Sequence, residues 1–287
     1  MENCSPSPGA DLHCRGDVHS LRKAVSMDHR EVGRHWEGNA EAWTTLARQG
    51  YDVSRDWVNT PAFLNMLPEV SGLAGLDIGC GEGSNTRQLA RRGARMTALD
   101  ISPTFLRYAE QTEREEPLGI RYLLGSAVEL PFEDARFDFA TSFMCFMDVG
   151  ETERVLAEAY RVIRVGGFLQ FSITHPCFDT PHRRNLRGED GRTYAVEVGE
   201  YFRDPGGEVL EWSFSAAPPE ARAGLPSFQT PLFHRTLSDW LNLLLDTGFT
   251  IERLCEPVPT AEAVREKPTL QDHLVVAYFL IVRVRKA

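Results

Sequence analysis

One stretch limits what this chain can become: Leu76-Asp77-Ile78-Gly79-Cys80-Gly81-Glu82-Gly83, an apolar run that stops at three glycines spaced by single residues. Gly72 to Ile78 has the apolar character of a buried strand, and Asn85 to Arg92 holds helix-forming Arg, Gln, Leu and Ala with no breaker. The glycines therefore stand at a strand-to-helix junction. In an open α/β sheet that junction lies at the carboxyl end of a strand, where a residue without Cβ lets a ligand reach the backbone.

A glycine-rich loop serves dinucleotide, phosphate and nucleoside binders alike, and the spacing here is G-x-G-x-G, not G-x-G-x-x-G. Asp77 narrows the choice. A carboxylate just before the turn repels a pyrophosphate at the helix N-terminus but suits a ligand carrying an ammonium and a sulfonium. Asp100 closes the next apolar run, Arg95 to Asp100, about where a ribose-binding carboxylate is expected after such a loop. A ribose site beside a cation site points to S-adenosylmethionine.

These motifs, LDIGCGEG and the strand ending Leu99-Asp100-Ile101-Ser102, resemble the class I S-adenosylmethionine-dependent methyltransferases, in particular the small-molecule, type 11-like kind. The likeness runs on through Gly125 to Phe132, Phe137 to Ala140 and Arg161 to Phe168, so it covers about Trp36 to Pro176 well and the remainder loosely. The resemblance implies a Rossmann-like α/β fold: a seven-stranded, mostly parallel sheet of order 3-2-1-4-5-7-6, with N-terminal lid helices and an inserted β-hairpin cap. It implies cofactor contacts from Asp77, Gly79, Cys80, Gly81, Gly83, Asp100 and Ile101. Ser126 departs from the usual pattern, in which an Asp accepts from the adenine amino group; a hydroxyl and the backbone of Ala127 and Val128 remain to hold adenine. Phe143 lines the methionine or adenine side or belongs to the core. An aromatic near the sulfonium is expected in the lid, where a cation can meet a π face; Trp43 fits that part and Trp36, seven residues earlier on the same helical face, fits a packing anchor.

The chain divides accordingly into an arm at 1–29, lid helices at 30–70, the cofactor-binding core at 71–175, a substrate-cap insertion at 176–230 and the rest of the core sheet at 231–287. Strand and helix alternate through the core: strands at 73–78, 95–99, 120–125, 137–142 and 168–174, helices at about 84–92, 103–114 and 151–163. Such alternation implies a mainly parallel sheet covered on both faces, with Gly166-Gly167 as the turn before the fifth strand. In the insertion, Glu200-Tyr201-Phe202 and Val209 to Phe214 flank Asp204-Pro205-Gly206-Gly207, which reads as a hairpin. A helix at 237–246 stops at Gly248, strands at 250–255 and 274–284 close the sheet, and the Pro-rich, charged stretch 257–273 reads as surface.

The 287 residues carry a formal net charge of -10. That balance argues against a nucleic-acid surface, which needs a basic stripe on phosphate. Six cysteines without C-x-x-C pairs indicate neither a zinc site nor a disulfide framework, so no metal is expected. No apolar run approaches the ~20 residues of a membrane helix, and the Ser- and Pro-rich start lacks a signal core. A cytoplasmic protein without nucleic-acid or membrane partners is expected, with a homodimer left open.

Methyl transfer from a sulfonium is an in-line displacement that depends chiefly on holding nucleophile and methyl in near-attack geometry; a base matters when the acceptor must lose a proton. His175, at the end of the fifth strand, is the first candidate for base or orienter, against a plain cap of the strand end. His234, in Phe233-His234-Arg235-Thr236-Leu237-Ser238, is the second, against a structural turn. Tyr51, Tyr201, Trp212 and Phe228 are expected to line the substrate side; Arg48, Tyr51 and Arg55 are candidates to reach cofactor or substrate, against surface positions on a polar turn. Methylation of O, N or C of a small, partly apolar acceptor in specialised metabolism is the leading reading. The alternatives are a quinone or lipid-precursor C-methyltransferase and a non-catalytic, cofactor-binding regulator.

Overall fold

The computed structural model describes residues 27–287; the expected arm lies outside the described residues as far as residue 26. Asp28 opens the structure by capping α1 (His29–Arg48), its carboxylate accepting from the N–H groups of Arg30 and Glu31. A π-turn at Arg55–Asn59 leads directly into α2 (Thr60–Met66).

The alternating core follows: β1 (Ala74–Ile78), α3 (Ser84–Arg91), β2 (Arg95–Asp100), α4 (Pro103–Glu115), β3 (Arg121–Leu124), β4 (Phe137–Phe143), α5 (Thr152–Val162) and β5 (Ile163–Thr174). After it come β6 (His182–Arg187), β7 (Thr193–Gly199), β8 (Glu208–Trp212), α6 (Pro219–Arg222), β9 (Phe228–Leu232), α7 (Leu237–Thr247), β10 (Phe249–Cys255), α8 (Ala261–Glu266) and β11 (Phe279–Lys286). The main sheet has seven strands in the order β3-β2-β1-β4-β5-β11-β10. β1 to β5 pair in parallel, and β11 runs antiparallel to both β5 and β10. This is the expected order, with β11 as the seventh strand of the sheet and β10 as the sixth.

Both sheet faces are covered, as parallel strands require. On one side α5 and α7 bring Leu156, Trp240 and Leu244 against Leu76, Leu169 and Phe171. On the other, α2 and α3 set Phe63 and Leu89 against Phe139, Phe168 and Ile281. α7 is fixed at both ends by its own sequence: Thr236 and Asp239 form a capping box, and Gly248 closes the helix in the left-handed conformation.

Three expectations change. Gly166-Gly167 is a bulge inside β5, which already starts at Ile163; Phe137 pairs with Ile163 and Phe139 with Phe168, and any Cβ on Gly167 would run into the Asp138 carbonyl. The Asp204 to Gly207 turn does not join two paired strands. Tyr201 and Phe202 lie outside any strand, and β8 pairs instead with β9, Trp212 opposite Phe228, while the hairpin of the insertion is β6 with β7. Finally, 257–273 is folded. α8 and a 3-10 segment, Pro268–Leu274, bury Ala263 and Leu270 against Val53, Val58 and Phe279, and the last strand begins only at Phe279.

Candidate active site

The carboxyl ends of β1 and β2 open into a cavity of ≈ 1440 Å³, walled by α1, the π-turn, the insertion and the segment 264–274. Its floor is built by local chain geometry. The N–H groups of Gly79 and Cys80 donate to the Leu99 carbonyl at 2.8 and 3.1 Å, which pins the glycine loop to the neighbouring strand. Gly79 and Gly81 have φ of +72° and +56°; a Cβ on Gly79 would overlap Cys145, whereas one on Gly81 would meet no protein atom. Gly81 lines the cavity, so its bare backbone is open to a ligand.

Asp77 and Asp100 flank this loop. Asp77 accepts from the hydroxyls of Thr86 at 2.5 Å and Thr141 at 2.9 Å. Asp100 accepts from the N–H groups of Gly81 at 2.7 Å and Ser102 at 2.9 Å, so the second strand end also shapes the loop. Burial pushes both carboxyls up to about 6; for Asp77 the two threonine hydroxyls oppose it, for Asp100 the surrounding backbone N–H groups. Each oxygen of a carboxylate has two acceptor sites, so both groups keep capacity for a ligand.

The lid is tied to the same loop. Buried Glu82 faces Arg55 at 3.5 Å and Arg48 at 3.8 Å, and Arg55 also meets Asp52 at 3.5 Å and Asp56 at 2.9 Å. Burial raises the Asp52 carboxyl to about 6 against the pull of Arg55. Trp43 stands in an aromatic cluster with Trp36, Trp212, Phe214 and Phe228, which joins α1 to β8 and β9.

Of the residues singled out in the sequence, Trp43, Tyr51, Asp77, Gly79, Cys80, Gly81, Asp100 and Ile101 line the cavity, as do Ser126, Ala127, Phe143, Trp212 and His234. Five do not. Gly83 caps α3 behind the loop, packed on Tyr122 and Ala109. Val128 belongs to the core with α5. Phe228 is fully buried beneath Trp43. The Tyr201 hydroxyl accepts from the N–H of Leu237 and so anchors the start of α7.

His175 is the main correction. Its Nε2 is 2.8 Å from Glu256 Oε1, its Nδ1 accepts from the N–H of Cys177 at 3.2 Å, and its side chain is 3 % exposed. With both ring nitrogens occupied and the ring outside the cavity lining, it clamps the end of β5 to the end of β10. His234 differs. Nε2 donates to the Tyr201 carbonyl at 2.9 Å, a group that can only accept, so the neutral ring leaves Nδ1 as a lone pair with no partner among the described residues. Burial lowers its pKa and keeps it neutral.

Sequence reasoning did not select Asp52, Glu82, Asp148, Asp179 or Arg183, which also line the cavity. Asp148 carried a usable signal, an acid just past the end of a parallel strand. Asp179 and Arg183 carried none, because the fold of the insertion decides where they point.

Residues 76–171 match the family model described as a methyltransferase domain. The chain is 32% identical over 150 residues to a demethylmenaquinone methyltransferase of Thermobifida fusca (strain YX), covering 52% of this chain and 63% of that protein. It is 38% identical over 109 residues to a malonyl-[acyl-carrier protein] O-methyltransferase of Pectobacterium atrosepticum, covering 38% of this chain and 42% of the relative. An S-adenosylmethionine-dependent methyltransferase structure from Mesorhizobium loti superposes with a TM-score of 0.63 at 28% identity, over 78% of this chain and 96% of that one. Residues 76–171 form a methyltransferase domain of the class I, S-adenosylmethionine-dependent kind.

The curated relatives are thus matched over about two fifths to under two thirds of their length. The cofactor of that domain is S-adenosylmethionine, and the site fits it: a carboxylate pair with no cation paired to it among the described residues, open backbone at Gly81, and the Trp43 and Phe143 rings in the cavity wall. No helix among the described residues is long and apolar enough to cross a membrane.

Proposed function

We propose that the protein methylates a small, partly apolar organic acceptor. The observation that carries this reading is the acidic floor of a cavity too large for one ligand. At ≈ 1440 Å³ it exceeds the roughly 300–1,000 Å³ of a typical small-molecule site, so cofactor and acceptor have room together.

S-adenosylmethionine, when bound, supplies an electrophilic methyl group on a sulfonium. Asp100 would take the ribose hydroxyls, Asp77 the ammonium end, and Ser126 with the backbone of Ala127 the adenine edge. Trp43 offers a π face to the cation. Arg48 and Arg55, through Glu82, hold the lid onto the glycine loop and keep water out. Beyond the floor, Met144, Met147, Trp212, Phe214 and Trp240 give the acceptor side an apolar wall. The relatives named for demethylmenaquinone and for malonyl-[acyl-carrier protein] show how widely acceptors vary on related chains, so acceptor identity rests on the insertion and not on the shared core. His234, with its free Nδ1, is the base where the acceptor must lose a proton.

The test is incubation of the purified protein with methyl-labelled cofactor and a metabolite extract, followed by mass spectrometry. A small-molecule product carrying the label supports the reading. Cofactor binding with no labelled product in any fraction would make the protein a binder and not an enzyme.

A further inference from the structure

The cavity reaches well past the glycine loop. Asp77 and Asp100 stand at the carboxyl ends of β1 and β2, whereas Tyr278, also in the lining, directly precedes β11, whose Phe279 pairs with Thr174 at the carboxyl end of β5. β4 and β5 separate β1 from β11 in the sheet, so three strand spacings put Tyr278 roughly 14 Å across the sheet from Asp77. Six arginines line the whole space. Arg55, Arg187 and Arg235 spend terminal nitrogens on Glu82, Asp272 and the Gly150 carbonyl, and Arg192 and Arg265 are exposed. Arg183, in β6, is held differently. Its Nε donates to the Phe178 carbonyl at 3.0 Å, its guanidinium lies 5.3 Å from the centre of the Tyr278 ring, and its side chain is 21 % exposed. Asp179 comes nearest at Nε, 4.0 Å away and beyond hydrogen-bond reach. The two terminal nitrogens of Arg183 and the hydroxyl of Tyr278 have no hydrogen-bond partner among the described residues.

We propose that this end of the cavity holds a carboxylate borne by the acceptor, with the terminal nitrogens of Arg183 as a fork and the Tyr278 hydroxyl as a further donor. The inference rests on the methyltransferase reading above and adds the class of acceptor: an organic acid whose anionic group is seated away from the cofactor floor. An arginine anchored through Nε and stacked on a ring has already lost most of its side-chain freedom, so its planar pair of terminal N–H groups is poised for two oxygens of one carboxylate. A phosphate suits the place less. Its second charge would lie beside Asp179 with one guanidinium to balance it, because Arg187, farther along β6, is already bound to Asp272.

The electrostatics agree with the geometry. The charge of Asp179, and then burial, raise the Tyr278 hydroxyl, which stays protonated and able to donate. Burial raises the Asp179 carboxyl against the pull of Thr174, Arg183 and His234, which weakens its claim on the guanidinium. Charge also sorts the two ligands. A sulfonium and an ammonium are drawn to Asp77 and Asp100, whereas an organic acid is repelled there and drawn to Arg183, so neither ligand gains by taking the other's seat.

The experiment titrates benzoate and benzamide, alike in shape and different in charge, into protein saturated with adenosylhomocysteine, followed by ligand-observed NMR. Benzoate should bind about tenfold more tightly than benzamide. Arg183→Met should abolish that preference, and Arg183→Lys, which keeps the charge but not the fork, should leave an intermediate one. Adenosylhomocysteine affinity should be unchanged in both, which shows that each variant is folded. Equal binding of the two probes, a preference that survives Arg183→Met, or phenyl phosphate bound more tightly than benzoate overturns the proposal. In the labelled-extract assay the methylated product should be retained by an anion exchanger at neutral pH, and a product without a negative charge overturns it as well. Absence of any labelled product would instead count against the enzymatic reading, and the probe titration, which needs no turnover, would still decide the carboxylate site.

Discussion

Asp77 and Asp100 set the terms at the scale of single residues. Both are buried carboxyls raised to about 6, so each is still partly protonated in the ligand-free protein at mildly acidic pH. A ligand that offers hydroxyls and an ammonium prefers the ionised forms, so adenosylhomocysteine affinity should rise as pH goes from about 5 to 7 and level off above. Calorimetric titration across that range checks it; a flat profile would mean that neither carboxylate meets the ligand. Asp100→Ala should weaken binding about tenfold to a hundredfold, the worth of hydrogen bonds to a charged acceptor. His175→Ala, by contrast, removes a clamp between β5 and β10. We expect a loss of about 1–3 kcal/mol in stability with adenosylhomocysteine affinity and the pH profile of turnover unchanged. A displaced acid limb would return His175 to the chemistry.

At the scale of elements, one carboxylate anchors the β6–β7 hairpin of the insertion. Asp272, in the 3-10 segment, accepts from Asn185 at 2.9 Å, Arg187 at 2.7 Å and Thr193 at 2.7 Å, and so ties both strands of the β6–β7 hairpin to the wall between α8 and β11. Asp272→Ala should free the hairpin, giving faster limited proteolysis within 182–199, while adenosylhomocysteine affinity stays near that of the parent. Equal cleavage rates would show that the hairpin is secured elsewhere. The same elements show what local patterns convey. β1, its glycine loop and α3 were legible because strand, turn and helix are neighbours in sequence and each residue's preference agrees with the next. The hairpin expected at Asp204 to Gly207 had suitable turn residues, yet β8 finds its partner beyond α6, at β9, where Trp212 and Phe228 join the cluster around Trp43. Long-range apolar contact outweighed local turn preference.

For the whole molecule, pH acts through opposing sets of buried groups. Asp52, Asp77 and Asp100 have folded pKa values near 6, above their unfolded values, so the native state holds more protons there and stability falls as pH rises from about 5 to 7, by roughly 1.4 kcal/mol each. His273, lowered by burial to about 4, and His234, lowered in the same way, act in reverse: the unfolded chain binds those protons, and stability grows over the same window. The two sets offset each other in the ligand-free protein. Bound cofactor acts on the carboxylates alone, so the rise in melting temperature caused by saturating adenosylhomocysteine should be larger at pH 7 than at pH 5. Scanning calorimetry at both pH values measures it, and an equal increment would contradict the ionised floor.

The sequence by itself determined the parallel core and the acidic glycine loop, because both follow from short-range patterns of apolar, glycine and carboxylate residues; the strand order came only with the resemblance to a known family. Only the tertiary structure decided that His175 is a clamp while His234 faces the cavity, and that 257–273 is a wall and not a surface loop. It alone brought Asp148, Asp179 and Arg183 into the lining of the same cavity. The reason is physical: whether a ring nitrogen or a carboxylate is free depends on which distant groups fold against it, and no local spacing encodes those partners.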